Sequence, residues 1–293
     1  MVIFRWEAHV LMKSLIKYFG GKGGMYKEIL SYFPEEAFLN TYIEAFGGGA
    51  SILFQKKPSP VEIYNDLNQN VYSVFKTLSD SKLFSEFKRQ CDLSYYSAQL
   101  RREYKKDLLK TDLPIVERAY KFFYVNRSSV NGIGGFACTV QHVRRNMSKS
   151  VSDFLSSVDG LEKVHQRLSH LIVENRDAVE LLYKYDRENI FFYLDPPYHH
   201  STRGDTRYDT DMTDKQHGDL IDCLIGMKKA KILLSGYDCI DYKKLCKNGW
   251  KQVDFEVKTQ TGTRKSKTKV ETLWFNYEPI ERSRGGLFES TTQ

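Results

Sequence analysis

The stretch "NIFFYLDPPY" (189–198) constrains this 293-residue chain more than any other. Ile190 to Leu194 offer no polar face to water, so the segment reads as a strand buried on both sides. Strands of that kind belong to parallel sheets covered by helices, and such sheets place their chemistry beyond the carboxyl ends of the strands. Asp195 stands at that end. Pro196 and Pro197 fix two successive φ angles and remove two N–H donors, leaving carbonyl acceptors in a stiff corner. Tyr198 adds a flat ring on which a planar group can stack.

The same alternation recurs along the chain. "AFLNTYIEAFGGGASILF" (37–54) reads as strand, glycine turn and helix, and "PVEIYNDLNQNVYSVFKTL" (60–78) as a strand ending near Tyr64 followed by a helix. From Ser79 to Leu109 the pattern is polar and helical. "IVERAYKFFYV" (115–125) is one more amphipathic helix, running into a loop or hairpin rich in Gly, Ser, Asn and Arg (126–150). Strand and helix then alternate again through "HLIVENRDAVELLYKY", "NIFFYL" and "DKQHGDLIDCLIGMKKAKILLSGY", and two strands close the chain in "GWKQVDFEV" and "TLWFNYE". The fold class is therefore α/β: a doubly wound, Rossmann-like core over 12–80 and 160–281, with a mainly helical insert over 81–159. Residues 1–11 and 282–293 are expected to be tails outside the fold.

Gly47, Gly48 and Gly49 follow the first strand, and Asp66 ends the next one, 17 residues after Gly49. Glycines there let the backbone approach a ligand closely, and an acid after the second strand can accept hydrogen bonds from ribose hydroxyls. A nucleoside-containing cofactor is one reading; a plain tight turn with Asp66 capping a helix is the other. The spacing fits neither the G-x-G-x-x-G pattern nor a Walker phosphate loop.

Asp195 and its acceptor-rich corner suit an exocyclic amine. Such an amine is a poor nucleophile because its lone pair is delocalised into the ring. Acceptors that bind both of its hydrogens favour a localised lone pair, which is electrostatic preorganisation without a covalent enzyme intermediate.

Here the residues resemble the Dam-like, D12 class of adenine-N6-specific DNA methyltransferases, in blocks spread over roughly 14–280. "LIKYFGGKG" is similar to the amino-terminal cofactor block, "YIEAFGGGASILF" to the glycine motif and "YNDLN" to the ribose-acid motif. "FFYVNRSSVNGIGGF" resembles the start of a DNA-recognition hairpin, "NRDAVELL" a further cofactor block, "DPPY" the catalytic motif and "GTRKSKTKVETLWFNY" the closing segment. The resemblance implies a methyltransferase core that uses S-adenosylmethionine, held by Tyr18, Lys22, Glu44, Phe46, Gly48, Asp66, Asp177 and Asp195. It implies that Asp195 and the Pro196 carbonyl bind the target amine, with Pro197 stiffening the turn and Tyr198 stacked on a flipped-out adenine. The family usually has Pro where Ala45 stands and Gly where Ala50 stands. Its best-known GATC-specific members carry a tyrosine at the place of Val130 and an arginine at that of Gly135, so aromatic intercalation and guanine readout do not carry over.

Lys and Arg exceed Asp and Glu by 44 to 37, which suits an anionic partner. Double-stranded DNA is that partner on this reading. Arg127, Val130 and Asn131 in the hairpin are the first candidates for contact, with Arg144, Arg145, Lys105 and Lys106. Arg264 and Lys265 of "TRKSKTK" (263–269) complete the set; each basic cluster also has an ordinary reading as solvated surface. His199 and His200 lack further spaced ligands, so no metal is expected. Their loop, through Tyr208, is expected to close over the target base. Five cysteines with no C-x-x-C pair read as reduced thiols, and neither an 18-residue apolar run nor a signal peptide is present. The expectation is a cytoplasmic, non-membrane monomer with no protein partner; whether a cognate restriction endonuclease accompanies it stays open. Two alternatives also stay open: methylation of cytosine N4, and a non-catalytic DNA-binding relative.

Overall fold

The protein is described from a computed structural model covering residues 12, 14–18, 21–199, 211–259 and 267–279, without side chains at 257–259 and 267–269. The expectations for 1–11, 282–293, His200, Tyr208, Arg264 and Lys265 lie outside the described residues. The chain divides into two compact units. One comprises Met1–Gly23, Gly48–Pro58 and Gln69–Val173; the other comprises Gly24–Gly47, Ser59–Asn68 and Glu174–Gln293.

The second unit is built on a sheet. The strands of that sheet are β1 (Thr41–Glu44), β2 (Val61–Asn65), β3 (Ile172–Glu174, of which Glu174 falls in this unit), β4 (Ile190–Leu194), β5 (Lys231–Gly236), β6 (Lys251–Thr259) and β7 (Lys267–Phe275). They lie in the order β3-β2-β1-β4-β5-β7-β6. β1 is parallel to both β2 and β4, β4 is parallel to β5, and β7 runs antiparallel between β5 and β6. The strand order reverses between β1 and β4, which is where an open α/β sheet leaves a crevice for ligand.

Alternation along each strand divides the core into two chemically distinct faces. Ile43, Ile63, Phe192, Leu194, Ile232, Leu234 and Trp274 pack with Leu181 and Leu182 of the helix Ala178–Tyr185 and with Leu220, Ile221 and Leu224 of the helix Asp214–Gly226. The opposite face is aromatic. Phe33 lies 4.7 Å edge-on from Phe191, 5.8 Å from Tyr193 and 6.0 Å from Tyr42, between ring centroids. The continuous apolar run of β4 thus splits into two sets of side chains, one per face, as a doubly covered strand requires.

The first unit is helical around Ile115–Arg127, which packs against Gln69–Ser79, Ser81–Asp92 and Ala98–Asp107. Phe123 meets Phe87 edge-on at 5.6 Å, and Tyr124 meets Phe154 at 5.3 Å. Asp80 and Ser97 cap two of these helices by accepting from backbone N–H groups. Helices Lys149–Asp159 and Leu161–Leu168 follow.

One expected element is absent: residues 51–56 form successive turns rather than a helix. Ala50 enters that segment at φ +53°; within it the Phe54 N–H reaches the Ala50 carbonyl at 3.1 Å and the Lys56 N–H the Ile52 carbonyl at 2.9 Å, and Pro58 ends the segment before a regular helix is built. Ala50 thus occupies the left-handed region that glycine tolerates best. Among the described residues no helix is long and apolar enough to cross a membrane.

Candidate active site

Three neighbouring strands of the second unit end in acids at the same edge. Glu44 is the last residue of β1 and pairs in register with Tyr64 of β2 and Tyr193 of β4. Two residues beyond those partners stand Asp66 after β2 and Asp195 after β4. Adjacent strands run about 4.8 Å apart, so backbone pairing brings the three acids to neighbouring strand ends, with Glu44 set back by two residues.

Each acid is held. The Tyr42 hydroxyl donates to Glu44 Oε2 at 2.9 Å, and both groups are buried. Burial, then the Glu44 charge, pushes the Tyr42 phenol well above its ordinary range, so it remains a donor. The Asn68 N–H donates to Asp66 Oδ1 at 2.8 Å, an Asx-type turn that fixes the acid at the strand end. The Ser235 hydroxyl, at the end of β5, is 3.2 Å from Asp195 Oδ1 and 3.1 Å from the Tyr193 hydroxyl.

Asn65 ties the edge together, and nothing in the sequence reading named it. Its Nδ2 donates to the Ala45 carbonyl at 2.9 Å and to the Arg176 carbonyl at 3.1 Å, while its Oδ1 accepts from the Arg176 N–H at 2.9 Å. Its own carbonyl accepts from the Gly47 N–H at 2.8 Å. One amide side chain therefore links the ends of β1 and β2 to the segment after β3. A Cβ on Gly47 would fall 2.0 Å from the Tyr64 ring, so only glycine fits where the turn crosses it.

The Pro-Pro-Tyr turn is framed on β4's other side. The Tyr198 ring stacks on Tyr237 with centroids 4.3 Å apart and planes 28° apart, and its hydroxyl is 3.4 Å from Glu271 Oε2. His199 Nε2 lies 3.1 Å from the Asp214 carboxylate and 3.5 Å from that of Asp241. A stiff carboxylate beside a buried, oriented tyrosine is an arrangement for holding a planar amine.

The chain matches the family model of the D12 class N6 adenine-specific DNA methyltransferases over residues 18–267. It belongs to that family. The protein is an adenine-specific DNA methyltransferase, and a methyl donor is its second substrate. No curated protein matches the sequence. Two solved structures of the rRNA methyltransferase AviRa from Streptomyces viridochromogenes superpose at TM-scores of 0.38 and 0.37, each with 10% identity. They cover 90% of this chain and 89% of that chain, and 86% and 82%, respectively. These likenesses are loose, and the fold rests on the strand order itself.

The remaining sequence candidates of the methyltransferase fall as follows. Asp177 is exposed, and its Oδ1 caps the helix Ala178–Tyr185 by accepting from the Val179 and Glu180 N–H groups. Phe46 is half-buried against the aliphatic core. In the first unit Lys22 is buried, and Gly48 sits at φ +48°, where a Cβ would come 3.0 Å from the Tyr18 ring.

The hairpin candidates belong to that unit too. Val130 and Asn131 are exposed on a tight loop closed by the Ser129–Phe136 bridge, with Asn131 at φ +52° and Gly132 at φ +86°. Arg101 Nε donates to Ser129 Oγ at 3.0 Å and its Nη2 to the Gly134 carbonyl at 2.6 Å. Lys17 Nζ reaches the Arg127 and Ser129 carbonyls at 3.1 and 3.0 Å, while Asn126 exchanges hydrogen bonds with the Lys17 backbone. The Arg127 Nε makes no hydrogen bond among the described residues, although it is buried. Arg144 and Arg145 stand at a two-residue hairpin turn and pair with Asp153 at 2.9 Å and Asp159 at 3.6 Å.

Asn65, Ser235, Tyr237 and Glu271 escaped the sequence reading. Their signals were slight: Asn65 and Ser235 are polar residues at or next to the end of the strands in "VEIYN" and "KILLSG", Tyr237 follows the second of these, and Glu271 is one polar residue among several in "KTKVETLWF".

Proposed function

We propose that the methyl donor is S-adenosylmethionine, that the DNA is double-stranded, and that the target adenine is flipped out of the duplex into the corner made by Asp195, Pro196, Pro197 and Tyr198. The observation that carries this reading is the Asp195 carboxylate, fixed at the end of β4 by the Ser235 hydroxyl at 3.2 Å and followed at once by the Pro-Pro turn.

The residues fit such a donor. Sulfonium and ammonium groups call for carboxylates, ribose hydroxyls for an acceptor, and Glu44 and Asp66 stand at neighbouring strand ends beside a side-chain-free turn at Gly47. Phe46 adds an apolar wall, and Asp177 is assigned to the adenine end of the same ligand. Tyr18, Lys22 and Gly48, in the first unit, take their share of the role from the motifs they match. The donor supplies an electrophilic methyl group.

Asp195 and the Pro196 carbonyl accept the two N6 hydrogens, which localises the nitrogen lone pair for in-line attack. As N6 gains positive charge, the carboxylate stabilises it, and Tyr198 holds the base plane. Arg127, Val130, Asn131, Arg144, Arg145, Tyr208, Arg264 and Lys265 are the proposed DNA contacts. The exposed ion pairs of Arg144 and Arg145 are the kind a phosphate can replace, because such pairs contribute little. The catalytic core is assigned to 12–80 and 160–281 and the DNA-recognition insert to 81–159. The enzyme is proposed to act as a cytoplasmic monomer.

The test is transfer from methyl-labelled S-adenosylmethionine to unmodified duplex DNA, followed by digestion to nucleosides. Wild-type protein should yield N6-methyladenine. Asp195→Ala should lower the rate by at least about 100-fold, as loss of one preorganised acceptor does. Full activity in that variant would reject the assigned chemistry.

A further inference from the structure

Tyr198 is held at two places by residues from the far side of the sheet. Tyr237 follows β5 and Glu271 lies in β7; Gly236 pairs with Thr272, so the antiparallel register brings Tyr237 and Glu271 side by side. Tyr237 stacks on one face of the Tyr198 ring at 4.3 Å. Glu271, 1% exposed, presents both carboxylate oxygens to the Tyr198 hydroxyl, at 3.5 Å for Oε1 and 3.4 Å for Oε2. A buried carboxylate is costly unless it has donors, and the Tyr198 hydroxyl is one that Glu271 faces with both oxygens.

We propose that Glu271 is a positioning residue for Tyr198. It fixes the ring's tilt and, by accepting the phenol's hydrogen bond, enriches the ring face turned to the target adenine. This rests on the reading of Tyr198 as the surface on which that base stacks. Tyr237 packs on the ring and Glu271 faces its hydroxyl, so the tilt set at these two places decides where a stacked base brings N6 to rest. An electron-rich ring also attracts the positive charge that grows on the base as the methyl–nitrogen bond forms. Both effects act in the transition state more than on the bound ground state, so they appear in kcat rather than in KM.

The experiment measures kcat and KM for duplex DNA with labelled S-adenosylmethionine, donor affinity by calorimetry and thermal melting, for Tyr198→Ala, Tyr198→Phe, Glu271→Ala, Glu271→Gln and Tyr198→Phe with Glu271→Ala. Tyr198→Phe should lose about tenfold in kcat with KM and donor affinity unchanged, the loss expected of one charge-assisted hydrogen bond. Glu271→Ala should fall to the same level, Glu271→Gln should recover most of the loss, and the double variant should be no slower than either single one. The proposal is overturned if Tyr198→Phe keeps wild-type kcat, or if Glu271→Ala lowers kcat by its full factor in the Tyr198→Phe background. In those cases, loss of activity in Tyr198→Ala still leaves the stacking role standing. Wild-type kcat in Tyr198→Ala removes the stacking role itself. Should Glu271→Ala fail to fold, Glu271→Gln takes its place in the double-variant comparison: no added loss upholds the proposal and an added loss overturns it.

Discussion

The acidic edge of the sheet and the loop over residues 128–136 are both proposed to meet substrate, yet they are held in place by different means. At the edge, parallel pairing of β1 with β2 and β4 sets the spacing of Asp66, Glu44 and Asp195 before any side chain acts. In the loop a few backbone bonds close the base, from the Ala137 N–H to the Ser128 carbonyl at 2.8 Å and from the Val130 N–H to the Gly135 carbonyl at 2.9 Å. Side chains from outside it complete the tie: Arg101 donates to the Gly134 carbonyl and Lys17 to the Arg127 and Ser129 carbonyls, while Asn126 bonds the Lys17 backbone. A site built on strand ends inherits rigidity from the core, whereas a loop must be tied by specific polar bonds.

Asn65→Leu tests the edge most severely, since there a single side chain does what the ladder does not. It removes three hydrogen bonds, one buried and two part-buried, and strands their partners, so unfolding in denaturant should show a loss of about 3 kcal/mol, with weaker donor binding by calorimetry. If stability and donor affinity both survive, strand register alone holds the edge and the comparison sharpens.

Arg101→Met tests the loop. It keeps the apolar stem but removes the bonds to Ser129 and Gly134, so affinity for duplex DNA should fall about tenfold while donor affinity stays at the wild-type value. An equal fall in both affinities would break the distinction between the two regions.

Arg144→Ala should have the smallest effect. Its ion pair with Asp153 is exposed, so the melting temperature should barely move. The logarithmic salt dependence of DNA binding should drop by about one unit if Arg144 meets a phosphate. An unchanged salt slope would return it to ordinary surface.

Much of this was legible in the sequence. The strands and helices of the sheet unit follow from runs and periods that are local properties of the chain, and the acids of "IEAFGGG", "YNDL" and "LDPPY" stand where those runs stop. The helix expected after the glycines is replaced by turns between the left-handed Ala50 and Pro58, a short span that the apolar pattern concealed. Asp177 shows the ambiguity of a single acid: the same residue caps a helix and is assigned to a ligand.

By itself, then, the sequence determined the α/β class, the edge at which chemistry sits, and Asp195 with its rigid turn, because burial pattern and backbone restriction are written residue by residue. Only the tertiary structure decided what holds that turn. Ser235 and Tyr237 reach it from β5 and the residue that follows β5, and Glu271 from β7. Glu271 can do so because an antiparallel strand lies between β5 and β6 in one particular register. A hydrogen bond across 73 residues of sequence has no local signature; it exists only once the sheet order has closed the distance.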